Sequence, residues 1–166
     1  MKQKTYANLL LFSLFGITMW FFGNLYEGIV MTPNLLTDPI RKIHDWQEFF
    51  TATNPVFFYI PVAPIAIIIT FYLFFKTRKE DPILKKHVTY GTIFVILALA
   101  LGIFIITRIN LKLFFWDIEK FSAGIYKLAV LWNILNIVRV ILLAFTIYHV
   151  FNAYLFVRRR VDQPGK

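Results

Sequence analysis

The chain has 166 residues, 58% hydrophobic and 16% charged, with aromatics at 19% from 19 Phe, 8 Tyr and 4 Trp. Ordinary globular domains run near half apolar and a quarter charged, so this excess excludes a disordered chain, makes a water-soluble enzyme a poor fit and points to the bilayer as solvent. The net charge of +9 lies between apolar runs rather than along one face, which argues against a nucleic-acid binder, and the absence of cysteine excludes a disulfide scaffold.

The first predicted span covers residues 6–30. Its basic start imitates a secretory signal, but the apolar run is too long and no small-residue cleavage site follows, so it reads as a retained anchor. Residues 38–53 set Ile40, Ile43, Trp46 or Gln47, and Phe50 near helical spacing, which predicts a short amphipathic helix on the outer surface and a candidate lid. Residues 55–75 carry no charge and form the second span. Pro55, Pro61 and Pro64 crowd its outer half, each removing an N–H, so a kink is expected there. A basic turn containing Pro82 leads to the third span, 88–107, also uncharged. Residues 111–121 read as a second interfacial segment. The last apolar stretch, 126–157, is 32 residues long and exceeds the ~20 that one crossing needs, so its first turns are expected to project from the membrane. The predicted fold class is all-α: a four-helix transmembrane bundle with short amphipathic helices in the outer loops, a single integral membrane domain over residues 1–166.

Basic residues orient the spans, because they are retained on the cytoplasmic side. The amino-terminal segment, the loop at 76–86 and the carboxy-terminal segment hold eleven Lys and Arg, against six in the two opposite connections, with Arg139 inside the last span. Both termini are therefore expected in the cytoplasm, with a bacterial inner (plasma) membrane as the expected home. The run Arg158-Arg159-Arg160 reads as a topology determinant near anionic headgroups.

Polar groups inside a bilayer mark either a site or a structural tie. Glu27 lies ~34 Å along the helix from Lys4, and Arg139 lies ~28 Å from Arg158, at 1.5 Å per residue. Both reach the same outer boundary, where pairing neutralises each charge; Arg108 is the competing partner. Trp20, Asn24, Glu27 and Met31 share one face of the first helix, and Trp132, Asn136 and Arg139 share one face of the last. Asn54 and Tyr59 start the second span, and Arg108 and Asn110 end the third. Trp20, Asn24, Tyr59, Asn110, Trp132 and Asn136, with Glu27 and Arg139, are thus the candidate walls of an amphipathic pocket for a flat hydrophobic molecule. The same residues suit a purely structural role, since Asn ties membrane helices together and Trp and Tyr collect at interfaces.

Other chemistries lack their signatures. No Glu is followed by His three residues later, as di-iron bundles require. His44 and Glu48 stand at i, i+4 in the outer loop, a possible two-ligand metal face, but two ligands on a mobile segment make a weak site, and paired membrane histidines for haem are not evident. No phosphate-binding loop, dinucleotide fingerprint, nucleophile elbow or zinc-protease motif occurs. No metal or cofactor is expected, and no nucleic-acid partner. The expected partners are the lipid bilayer, a hydrophobic small molecule, and a second copy or another membrane subunit.

Three stretches, G-N-L-Y-E-G-I-V-M-T-P-N-L at 23–35, T-R-I-N-L-K-L at 107–113 and W-N-I-L-N-I-V-R-V-I-L at 132–142, resemble the anthrone-oxygenase-like family of small four-span membrane proteins. The resemblance implies oxygenation of an aromatic polyketide without metal or flavin, the substrate being deprotonated to a carbanion that reacts with oxygen. It would make Glu27 the base, Arg139 and the Asn residues the stabilisers of the enolate oxygen, and Trp20 and Trp132 the stacking surfaces. A binding or interaction subunit without chemistry is the alternative that composition leaves open, and transport fits four helices less well.

Overall fold

The computed structural model describes residues 3–53, 55–115 and 122–163, and these are helical apart from short turns, with no strand among them. α1 (Gln3–Tyr26) runs through a π-helical turn (Glu27–Met31) into α2 (Thr32–Thr37). The Thr32 N–H reaches back five residues to the Glu27 carbonyl, which also accepts the Thr32 hydroxyl at 3.1 Å. Pro33 follows at once; it has no N–H, and its ring would crowd the carbonyl four residues back in a regular α-helix, which gives a reason for the widened turn. Asp38 then caps α3 (Pro39–Phe49) by accepting the Arg41 N–H, and Ile43 of this expected amphipathic helix is fully buried.

Among the described residues three helices, rather than the four expected, are long and apolar enough to cross a membrane: Gln3–Thr37, Pro82–Leu113 and Gly124–Asp162. The segment expected as the second span is divided into α4 (Pro55–Tyr59) and α5 (Val62–Lys76). Its prolines explain the break. Pro61 sits in the turn between the two pieces, where it cannot donate to the helical ladder. The 15 residues of α5 span only ~22 Å, short of a ~30 Å hydrocarbon core.

A 3-10 turn (Thr77–Lys79) leads to α6 (Pro82–Ile105), which continues as a π-helical stretch (Ile106–Phe115), and α7 (Ser122–Asp162) closes the chain. The expected interfacial segment at 111–121 lies only partly within the described residues, and Asn54 lies outside them. At the start of α6, Asp81 accepts the Ile83 N–H at 2.8 Å and pairs with Arg160 at 2.7 Å, fastening the end of α7 to the start of α6. The Ile83 bond first, and Arg160 second, hold the Asp81 carboxyl below its usual range.

α1 packs against α5 and α7, and α6 packs against the same two helices. One apolar cluster, including Leu10, Ile17, Leu73, Val95, Leu143 and Val150, fills the space between them. A second joins Leu35 and Ile43 to Ile105, Ile109, Leu113, Ile125 and Trp132. Small residues permit the closest approach: a Cβ on Gly16 would lie 2.6 Å from the Ala66 Cβ. Beside it, the Ser13 hydroxyl donates to the Ala66 carbonyl at 3.2 Å and meets the Thr70 hydroxyl.

Candidate functional site

Where α1 gives way to its π turn, the first helix passes α4, α6 and α7 with polar side chains turned inward. Asn24 and Asn136 are completely buried, and Glu27 and Arg139 are 9% and 7% exposed. The Glu27 carboxylate is held from two sides. Tyr59, the last residue of α4, donates its hydroxyl to Oε1 at 2.7 Å, and Arg139 brings Nη2 to 3.8 Å from Oε2. Arg108, the competing partner, is exposed.

Arg139 is anchored more tightly to its own helix than to Glu27. Its Nη2 donates to Asn136 Oδ1 at 2.6 Å; Asn136 Nδ2 then donates across to the Asn24 carbonyl at 3.1 Å, and Asn24 Nδ2 donates to the Trp20 carbonyl at 2.6 Å. The chain of bonds therefore runs from α7 into α1 and fixes the guanidinium in front of Glu27. Two glycines adjoin the site, and of them only Gly23 must stay small. A Cβ on Gly102 would meet Arg139 Nη1 at 3.7 Å and Trp20 Cζ2 at 3.8 Å, and one on Gly23 would strike the Tyr59 ring at 2.6 Å. Among the described residues, Asn24 Oδ1 and Arg139 Nε are buried without a hydrogen-bond partner.

Glu27 and Tyr59 have a second neighbour, a cavity of about 940 Å³ between the end of α1, α3 and α4. Rings from Phe22, Tyr26, Trp46, Phe49, Phe50 and Phe58 share its walls with Met19, Val30, Met31 and Asn34, and the Lys42–Asp45 ion pair (3.0 Å) is also in its lining. α3 is thus one wall, where the sequence suggested a lid.

The eight residues singled out from the sequence divide accordingly. Glu27 and Tyr59 line the cavity, whereas Arg139, Asn24 and Asn136 stand behind Glu27 and do not. Trp20 lies in the apolar cluster between the long helices and Trp132 in the second cluster, with Leu35 and Ile43, so neither tryptophan faces the cavity. Asn110, in the π-helical stretch after α6, is half-buried; its Oδ1 has no hydrogen-bond partner among the described residues and it makes none of the cluster's bonds. Sequence reading placed Trp46 and Phe50 on the amphipathic segment but missed Phe49 and the ring that α4 adds to the wall. Phe49 and Phe58 carry no signal beyond being aromatic near a helix end.

The arrangement is a carboxylate with a phenol and a guanidinium on one side and an apolar space on the other. Such a group accepts a hydrogen bond, or a proton, from a molecule in that space. Comparison with known proteins gives no matching family model, no similar curated protein and no solved structure of matching fold.

Proposed function

We propose that the protein is a four-span integral membrane protein, with both termini in the cytoplasm of a bacterial cell, that binds a hydrophobic aromatic molecule in its outer cavity and uses Glu27 as polar anchor and proton acceptor. The observation that carries this reading is a carboxylate braced by Tyr59 at 2.7 Å in the wall of a cavity rich in aromatic rings. Membrane residence is supported by the inverted polarity of the helices. Phe15, Ile68, Ile93, Ile103, Ile137 and Phe145 face outward, while Ser13, Asn24, Thr70, Asn136, Arg139 and Thr146 are buried. In this reading α4 and α5 together make the fourth crossing, bent at Pro61.

A bound molecule with an acidic C–H or O–H against Glu27 would pass its proton to the carboxylate, and Arg139 behind it would hold the charge that Glu27 carries beforehand. The resemblance to anthrone oxygenases extends the proposal to reaction of the resulting carbanion with oxygen. A second reading, a binding or interaction subunit with a structural polar cluster, is favoured by one observation: Arg139, Asn136 and Asn24 bond to one another rather than line the cavity.

Titration of the detergent-purified protein with anthrone, followed by tryptophan fluorescence, separates the two. Binding should weaken at least ~10-fold in Glu27→Gln, the usual effect of losing a hydrogen bond to a charged group, and remain unchanged in Asn110→Ala. Equal affinity in wild type and Glu27→Gln would leave only the structural reading. Orientation is tested independently, because the chain has no cysteine. In intact cells an impermeant thiol reagent should label Asp45→Cys and spare Lys79→Cys; the reverse pattern would invert the topology.

A further inference from the structure

α6 and α7 approach closely at the end remote from the cavity because Gly91 lacks a side chain. A Cβ there would lie 3.1 Å from Val150 Cγ2 and 3.6 Å from the His149 Cβ. This approach joins two histidines that the sequence keeps 62 residues apart: His87 on α6 and His149 on α7 face each other with their Nδ1 atoms 3.1 Å apart. The imidazole of His149 is held in place by rings. It stacks on Tyr90 and Phe94 at centroid separations of 5.3 and 5.8 Å, and Tyr148 stands edge-on to both histidines. A groove of about 450 Å³, lined by Ile141, Ala144, Phe145, Tyr148 and His149, opens beside the pair.

We propose that His87 and His149 form a two-imidazole site for a divalent late first-row transition cation, clasping α6 to α7 near their Asp81 and Arg160 ends. The proposal is independent of the ligand assigned to the outer cavity. Metal–nitrogen bonds of ~2.0–2.1 Å across this separation give an N–metal–N angle of roughly 95–100°, between the cis angle of a tetragonal ion and the tetrahedral angle. The nitrogens are too close to flank a porphyrin. In the metal-free pair one Nδ1 donates its proton to the other. On binding, that ring passes to the Nε2–H tautomer, so both Nδ1 lone pairs meet the ion and no proton is lost overall. No group of three or more His, Cys, Asp or Glu side chains gathers anywhere among the described residues. The remaining coordination positions are left to water or small anions at the half-exposed edges of the two rings, since the groove itself is apolar. Lys86, exposed on the neighbouring position, opposes the added charge, which favours ions with the strongest affinity for imidazole.

His44 is the remaining histidine, so the test uses His44→Gln protein, purified without a polyhistidine tag. Zn2+ should raise its melting temperature by about 3 °C or more at saturation, and the rise should vanish on adding either His87→Gln or His149→Gln. One equivalent of Cu2+ should give electron spin-echo modulation from two imidazoles. This second readout needs no further variant, so it decides the matter even where a histidine replacement fails to fold. A spectrum with one imidazole or none, a melting temperature indifferent to Zn2+, or an equal Zn2+ effect in His87→Gln would overturn the site and leave a proton-sharing pair.

Discussion

Glu27→Gln should lower the unfolding free energy by about 3 kcal/mol, the low end of the range for removing one member of a buried ion pair, and adding Arg139→Gln should restore more than half of that loss. The single change leaves a guanidinium 7% exposed, with Asn136 Oδ1 as its hydrogen-bond acceptor and no anion facing it. The double change removes the stranded charge. Two amides then face each other across the site with Tyr59 still able to donate. Arg139→Gln alone should fall between, because Glu27 keeps the Tyr59 bond at 2.7 Å. Reversible unfolding in mixed micelles measures all three. Strict additivity of the two single changes would mean that the 3.8 Å approach contributes no coupling.

Gly16→Ala should cost about 2 kcal/mol, and Ala66→Gly in the same chain should recover most of it. The added methyl would stand 2.6 Å from the Ala66 Cβ and 3.2 Å from the Val62 carbonyl oxygen. Neither neighbour is the end of a flexible side chain, so α1 and α5 must separate. That separation also stretches the Ser13 bond to the Ala66 carbonyl. Removing the Ala66 methyl transfers the space from one helix to the other, leaving the tight contacts with Val62, its Cγ1 at 3.1 Å and its carbonyl oxygen at 3.2 Å. The same unfolding assay reads it, and a Gly16→Ala protein as stable as wild type would show that the two helices are free to move apart.

Much of the architecture could be read from hydropathy. Three apolar runs were long enough to be helices whatever their neighbours, and α3 followed from four spaced apolar residues. The division of α4 from α5 was half legible: three prolines announced a kink, but whether the chain bends or breaks depends on what lies opposite Pro61. The polar cluster was legible as a level rather than as a set of contacts. Depth counting placed Glu27 and Arg139 together. It could not show that Tyr59 would take the closer position, because that depends on Gly23 leaving space for a ring. Trp20 and Trp132 share helix faces with the cluster, yet each lies in a separate apolar core, since a common face says nothing about which neighbour it meets. The histidine pair was invisible, because a contact across 62 residues needs the packing of α6 on α7 to exist first.

The length of α7 has one more implication. Its 41 residues extend ~62 Å, about twice a hydrocarbon core. The surplus carries Ile125, Ala129 and Trp132, which pack with Leu35, Ile43 and Leu113 into the outer cluster. In a bilayer, then, the chain is held together by two different physical economies. Between the long helices, lipid is as oily as the core, and cohesion must come from close fit and polar ties. In the proposed outer crown, water would surround the packed side chains and drive them together as in any soluble domain. In the proposed membrane setting the aromatic cavity would stand at the seam, with its carboxylate on the lipid-embedded part and its α3 wall on the crown, so a loosening of the crown alone would open the cavity while the anchor stays in place.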